Sequence, residues 1–423
     1  RLALRLDKPV FQVIDDLKLA AYLLSSSEKS YSLSEMRTAY LPGLAFDADE
    51  IHWDAAALIR LDQAVSAIFS QRQMESLYRD IELPLCQVLA SMEHEGFMVD
   101  RAGVEEFGRM LDNQIGSRRA EILQMAGTDF NINSTKQLAE VLFDRLGLPP
   151  RKKTRTGYST DSEVLESLRG HHPIIEAILD YRQLSKLSST YVAGLGKCIQ
   201  PDGRVHSTFN QTETRTGRIS SADPNVQNIP VRTPLGAEMR KFFVAKEGFT
   251  LVDADYSQIE LRILAHISGD QQMIRGFEEG ADIHRMTASQ VFGIPFEMVP
   301  PQMRSRAKAI NFGIVYGISA FSLAQDIHTT VKEAKQYIDD YLKTYSGVAA
   351  YMHQSVEKAR ELGYVETIFH RPRQLPDINS KKPALRGFSE RVAMNMPIQG
   401  TAADIIKLAM IRVWLRVPKE GLR

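Results

Sequence analysis

Two cysteines in 423 residues, Cys86 and Cys198, are too few and too far apart for a disulfide framework, and neither lies in a Cys-x2-Cys pattern that would hold zinc. A reducing, cytoplasmic setting is the expectation. Long apolar runs are missing too: no stretch approaches the roughly 18 residues of a membrane-crossing helix, and there is no signal peptide, so neither insertion nor export is expected. Nor is either charge in excess. Lys plus Arg and Asp plus Glu both total 52, which removes any overall basic signature and confines a nucleic-acid surface to local patches. Internal repeats and low-complexity tracts are absent. With 43% hydrophobic and 25% charged residues, a soluble chain of two or three domains is expected.

What is present, first of all, is a spacing. Arg304, Lys308, Phe312 and Tyr316 recur at every fourth residue, followed by Gly317. On an α-helix each such interval turns by about 400°, so the four side chains drift along one face over roughly 18 Å, near the length of a nucleoside triphosphate. Cations at one end can hold phosphates, a ring further along can stack on a base, and the final Tyr can pack against the next base step. A lone Arg or Lys would be read as a solvated helix edge. The full Arg-x3-Lys-x3-Phe-x3-Tyr-Gly series is harder to dismiss, although Tyr316 and Gly317 also suit helix packing followed by a Gly C-cap.

Other segments carry chemistry of their own. Phe249-Thr-Leu-Val-Asp-Ala-Asp255 has the pattern of a strand, with Asp253 and Asp255 on one face and Val252 and Ala254 on the other. Displacing pyrophosphate from a nucleoside triphosphate needs hard oxygen ligands for magnesium, and an acid at a strand tip facing a cleft is a good place for one. Ser257-Gln-Ile-Glu260 opens the following helix and fits a capping box, as does Ser134-Thr-Lys-Gln137, whose helix has the stripe Leu138, Val141 and Leu142 and ends near Gly147 and Pro149. Arg151-Lys-Lys-Thr-Arg155-Thr-Gly157 is a basic loop able to track a phosphate backbone or simply to lie in solvent. Asp282-Ile-His284-Arg285 starts another helix, where a lone His is more often a surface or capping group. Thr216 to Asn228 is turn-rich and amide-rich, suited to the minor groove, whose acceptors are shared by all base pairs. Arg391, Asn395 and Gln399, at i, i+4 and i+8, form a second such face, although amides at that spacing are usually solvated.

The helical series, together with Asp255-Tyr-Ser-Gln-Ile-Glu260-Leu-Arg262 and Asp223-Pro-Asn-Val-Gln-Asn-Ile-Pro230, resembles family A DNA polymerases of the bacterial DNA polymerase I type. The likeness is specific from about residue 204 onward, moderate over 80–203 and weak before 70. It implies an α+β multidomain, right-hand polymerase fold: a degenerate 3'-5' exonuclease-like part at 1–72, a thumb at 73–203, palm at 204–268, helical fingers at 269–366 and palm again at 367–423, with a helix from about 399 to 416. The implied activity is template-directed addition of dNTPs to a primer 3'-hydroxyl by a monomer bound to primer-template DNA. Two magnesium ions are implied for the complete enzyme, one held by Asp255 and the backbone carbonyl of Tyr256. Lys308 becomes the acid that protonates departing pyrophosphate. Gln258, Glu260, His284, Arg304, Lys308, Phe312 and Tyr316 become the dNTP pocket, with Phe312 disfavouring dideoxynucleotides. Arg218, Asn225, Gln227, Asn228, Arg232, Arg391, Asn395 and Gln399 become DNA contacts.

For Glu260 two roles compete: the capping box, and by resemblance a gate against the 2'-hydroxyl. One rotamer cannot serve both. The helix starting at Asp16 is similar to one bearing an acidic ligand in the exonuclease domain, but Leu58-Ile-Arg-Leu-Asp62 departs from the family's Tyr-x3-Asp, so proofreading is not expected and Asp16 also suits a helix N-terminal acid. His370 and Pro372 stand where the family usually has Gly and a basic residue, so no contact is carried onto them. The family's His-Asp motif, due after Gln399-Gly-Thr-Ala-Ala-Asp404, is not reached by Arg423. A fragment trimmed at both ends is therefore expected, and the alternative function is a primer-template-binding segment without catalysis.

Overall fold

The computed structural model describes residues 15–28, 30–42, 50–154, 157–230 and 233–417, and for residues 50–55 the backbone alone. Arg155 of the basic loop and Arg232 of the DNA-contact set lie outside the described residues. The chain divides into two compact units. Residues 1–92, 209–220 and 253–423 make one, and 93–208 with 221–252 make the other.

The second unit is built on the long helix Arg101–Ala126 packed against Pro173–Lys186. Asp100 starts the first helix by accepting from the Gly103 N–H at 3.0 Å, and Gly127 ends it at φ +64°, a left-handed conformation that glycine enters without a Cβ clash. Ile122, Leu138, Leu142, Leu165, Ile174 and Ile178 are fully buried in its core. Ser134 caps the short helix Thr135–Ala139 as expected, but the box is only half made. The Gln137 side chain instead accepts from the Asn131 N–H at 2.7 Å, because the turn at 131–134 brings that donor within reach.

In the first unit the element that positions the site is a set of helices: α1 (Leu17–Leu24), α2 (Ile259–Ser268), α3 (Ile283–Phe292), α4 (Pro301–Val315), α5 (Ser346–Leu362) and α6 (Pro383–Arg416). Asp16 is the N-cap of α1, accepting from the Leu19 N–H at 2.9 Å, which is the structural role weighed for it. Pro301 at the first position of α4 costs no hydrogen bond there and presets the helical φ. Ala307, Ile310 and Ile314 then recur three and four residues apart and are buried, Ile310 and Ile314 joining Leu261, Leu264, Ile283, Val291, Tyr341, Tyr345 and Ile398 in one core and Ala307 packing with Ala288 and Val299 in a smaller one. Each fully buried Leu or Ile side chain of this kind contributes about 1.5–3 kcal/mol. Helix α6 begins well before residue 399 and runs for 34 residues with Pro397 inside it, so Arg391, Asn395 and Gln399 do share one continuous helix.

Strand pairing among the described residues is confined to two-stranded sheets. In the first unit β1 (Tyr364–Glu366) runs antiparallel to β2 (Pro372–Gln374), with Glu366 opposite Pro372. The strand expected at residues 249–255 is a correction: no ladder forms there, every residue is exposed, and Val252 is 89% exposed. Alternation makes a strand only where a partner takes the backbone hydrogen bonds and one face is covered, and neither condition is met among the described residues. The palm sheet expected to carry Asp255 is accordingly not assembled there.

Candidate active site

The face of α4 has the arrangement its spacing demands. Arg304 and Lys308 are exposed, Phe312 is half-buried and Tyr316 is 42% exposed, while Ala307, Ile310, Asn311, Ile314 and Val315 between them are buried. Lys308 Nζ lies 6.0 Å from the centre of the Phe312 ring, one turn further along. Beyond Phe312 the helix ends: Tyr316 donates its backbone N–H to the Phe312 carbonyl at 3.0 Å, and Gly317 turns at φ +63°. A Cβ at Gly317 would stand 3.0 Å from Arg391 Cγ and 3.1 Å from Met394 Cε, so the turn is both left-handed and tightly covered. Phe312, Tyr316, Gly317 and Arg391 border an open cleft of about 620 Å³.

At the cationic end, Arg304 Nε donates to Asp282 Oδ2 at 2.6 Å. Asp282 also caps α3, accepting from the His284 and Arg285 N–H groups at 3.1 Å each. Burial would raise its carboxyl, yet the Arg304 bond and these N–H groups hold it below the usual range. His284 is not the surface group that its position in the sequence favours. It is 3% exposed, tilted against Phe312 with ring centres 5.8 Å apart. Burial pushes its imidazole down to about 4, Asp282 opposing and Arg304 and Lys308 assisting. It is a neutral ring at pH 7.

At the other end of α4, Glu260 does not take the first of its two weighed roles, the capping box. The helix it opens has Gln258 at the cap, at φ +56° and with no side-chain cap bond, so the capping box is not formed. The left-handed Gln258 turns Ser257 away from the position a box requires. Glu260 is buried instead and accepts from Arg218 at 2.6 Å and from the Tyr316 hydroxyl at 3.0 Å. Burial, with Glu260 next, raises the Tyr316 phenol, which stays a donor. Gln399 is hydrogen-bonded to the same tyrosine, and Asn395 donates to the otherwise orphaned Val315 carbonyl at 3.0 Å. The polar face of α6 thus closes on the end of α4.

Asp253, Asp255 and Tyr256 are exposed in the segment before α2, and no hydrogen bond or ion pair joins either aspartate to α4 among the described residues. Two carboxylates and a backbone carbonyl are hard oxygen donors of the kind magnesium takes, and among the described residues neither aspartate is held in an ion pair, so the donor set fits. Among the described residues no group of three His, Cys, Asp or Glu gathers as a metal site. In the second unit Asn225, Gln227 and Asn228 form a 3-10 turn. The Asn225 carboxamide oxygen accepts from Ser221 at 3.0 Å and from the Gln227 N–H at 3.1 Å.

Several residues escaped the sequence reading. Asn311 is fully buried behind Phe312, and Glu82, Arg371, Asp404 and Lys407 form a buried ionic cluster beneath residues 214–218. The available signal was a polar residue on an apolar helical stripe: Asn311 falls four after Ala307 and three before Ile314, and Asp404 and Lys407 sit three apart among apolar neighbours.

Helix α4 thus bears ordered cations and rings with an acid gripped at its end, and a pair of aspartates lies exposed before α2. Residues 101–423 match the sequence family described as DNA polymerase family A, and the chain belongs to that family. It is 48% identical over 412 residues to DNA polymerase I of Caldicellulosiruptor bescii, covering 97% of this chain and 48% of that protein. It is 51% identical over 350 residues to the thermostable DNA polymerase I of Thermus aquaticus, covering 82% and 42% respectively. The chain therefore spans about half the length of the curated relatives it matches. Among solved structures it is similar to the POL domain of Pol1 from M. smegmatis in complex with DNA primer-template and dNTP, with a TM-score of 0.90 and 39% identity, covering 99% of this chain and 74% of that one.

Proposed function

We propose that the chain forms the core of a template-directed DNA polymerase, in which a primer 3'-hydroxyl attacks the α-phosphate of a dNTP and pyrophosphate leaves. The observation that carries this is the ordered face of α4, two cations then two rings, ending on a Glu260 held by Tyr316 and Arg218. Arg304 and Lys308 bind the triphosphate, and Lys308 donates a proton to the departing pyrophosphate, offsetting charge built in the transition state. Phe312 stacks on the incoming base or sugar. Glu260, with Gln258 beside it, lines the sugar pocket and excludes a 2'-hydroxyl. Tyr316 and Gly317 border the entrance of the templating base. Asp255 and the Tyr256 carbonyl are the groups that would hold magnesium. When bound, the metal lowers the pKa of the primer hydroxyl and neutralises charge on the phosphates. Arg218, Asn225, Gln227, Asn228, Arg391, Asn395 and Gln399 contact the duplex through its minor groove, and Arg232 joins them. The reading extends to a monomer, to the thumb, palm and fingers limits given above, and to an N-terminal exonuclease-like remnant without proofreading.

Primer extension by the protein at its relatives' length tests the proposal. Asp255→Asn is expected to abolish extension while primer-template binding survives; unchanged synthesis would end the metal-ligand assignment. Duplex binding by this chain with no extension in any form would select the other reading, a primer-template-binding segment without catalysis.

A further inference from the structure

Behind the nucleotide face of α4 lies a buried polar chain that the proposed chemistry does not use. His284 Nδ1 is 3.0 Å from Asn311 Nδ2, Asn311 Oδ1 is 3.1 Å from the Thr287 hydroxyl, and that hydroxyl is 3.3 Å from the Tyr345 hydroxyl. Asn311, Thr287 and Tyr345 are each fully buried, and His284 nearly so. A buried carboxamide left unpaired would cost about 1–3 kcal/mol, so an Asn inside an apolar stripe is retained only where its hydrogen bonds are made. Here they are made on both sides, and one of the partners is an imidazole.

We propose that Asn311 is a positioning residue that fixes His284 as the Nε2–H tautomer, and so determines which ring nitrogen meets an incoming phosphate. The N–H of the Asn311 amide donates to His284 Nδ1, which must then be unprotonated, and the single hydrogen of the neutral ring resides on Nε2. The amide is itself oriented from behind. The Thr287 hydroxyl lies 3.1 Å from the Asn311 oxygen and 2.9 Å from the Ile283 carbonyl, with the Tyr345 hydroxyl 3.3 Å behind it, so the oxygen of the amide faces a hydroxyl and its N–H faces the ring. An imidazole whose lone pair faced a triphosphate would repel it, whereas an Nε2–H donates to it. The inference rests on the nucleotide reading only for what lies beyond Nε2, since the tautomer is a property of the protein alone. The depressed imidazole pKa agrees with a ring that must stay neutral beside Arg304 and Lys308.

Nitrogen-15 NMR of the histidine-labelled chain reads the tautomer directly, the His284 signals being identified by their loss in His284→Gln. The unmodified chain is expected to show His284 protonated at Nε2 and bare at Nδ1. Asn311→Asp, which has nearly the same shape but only accepts, is expected to place a hydrogen on Nδ1. A bare Nε2 in the unmodified chain, or an Nδ1 that stays bare in Asn311→Asp, overturns the proposal. Because the first measurement does not depend on Asn311→Asp, misfolding of that variant does not leave the question open. In primer extension at the relatives' length, Asn311→Leu is expected to raise the apparent dNTP KM about tenfold with kcat within about twofold, equivalent to losing one hydrogen bond to a charged oxygen. A KM within about twofold of the parent, despite the expected tautomer, would likewise overturn the phosphate-facing part of the proposal. Titration with dTTP separates this from the function reading: a tautomer as expected in a chain whose spectrum dTTP leaves unmoved would count against nucleotide binding and not against the role of Asn311.

Discussion

Glu260 shows how much one side chain's direction decides. Folded onto its own helix start it would be a cap; turned into the unit it is a buried carboxylate with a guanidinium on one oxygen and a phenol on the other. Glu260→Ala is expected to raise ribonucleotide incorporation by about tenfold or more, the ratio that one well-placed contact can enforce. Tyr316→Phe keeps the ring in the cleft and the Arg218 pair intact, so its increase should be smaller. Extension assays with matched rNTP and dNTP would show it, and a flat ribonucleotide yield in both variants would remove Glu260 from the sugar pocket. His284 makes a second prediction at this scale. Its folded pKa, about 4, lies below the ordinary 6.5, so between those values the unfolded chain binds more protons. Stability supported by the neutral ring is complete above pH 6.5 and lost progressively as the pH falls towards 4. His284→Gln should therefore flatten the fall in urea-unfolding stability across that window relative to the parent. An identical pH profile for the two proteins would contradict the burial of this ring.

At the scale of elements, the turn before β2 and the buried side of α6 are tied together by charge. Arg371 Nε and Nη2 donate to Asp404 Oδ1 at 2.9 and 2.6 Å, Arg371 also pairs with Glu82, and Lys407 Nζ donates to Glu82 Oε1 at 2.6 Å. Burial pushes the Glu82 carboxyl up, but Lys407 and Arg371 outweigh it and hold it at about 2. Above this cluster passes Gly217, at φ +82°, where a Cβ would lie 2.6 Å from Arg371 Nε. Arg218, the partner of Glu260, is the next residue. The cluster thus forms the floor beneath the segment that presents Arg218. Removing one member leaves a buried charge uncompensated, so Glu82→Gln should destabilise by roughly 3–5 kcal/mol. Gly217→Ala should cost about 1–3 kcal/mol from its backbone conformation alone. Urea unfolding measures both, and a Glu82→Gln variant as stable as the parent would mean that water already reaches the cluster. Beyond the polar pair Asp404 and Lys407 among apolar neighbours, this was not legible beforehand, because an ion cluster assembled from residues 82, 371, 404 and 407 depends on contacts that no local pattern encodes. What local pattern does encode was legible: the face of α4, the cap at Asp16, the glycine turn at 317. The 249–255 strand was not, since alternation records a tendency to pair and says nothing of whether a partner is in reach.

For the molecule as a whole, 52 basic and 52 acidic residues cancel, so on the proposed function attraction to DNA comes from cations concentrated where the backbone passes. Two groups satisfy that in different ways. Arg304 is already paired with Asp282, whereas Lys308 has a ring beside it and no ion pair among the described residues, and on the other unit Arg151, Lys152 and Lys153 are all exposed. Lys152 is loosely paired with Asp161 at 3.5 Å in an exposed setting, an interaction worth at most about 1 kcal/mol and readily exchanged for a phosphate. Each phosphate neutralised releases counterions, so log affinity for primer-template falls with log salt by about 0.9 per contact. Replacing Arg151, Lys152 and Lys153 together by Ala should therefore reduce that slope by up to about 3 and weaken binding equally for all sequences. Fluorescence anisotropy across a salt series provides the measurement, with a non-specific duplex as the reference. A slope identical to the parent's would show that this loop lies in solvent, the role its composition allowed from the start, and would leave the cations of the first unit to supply the whole electrostatic attraction.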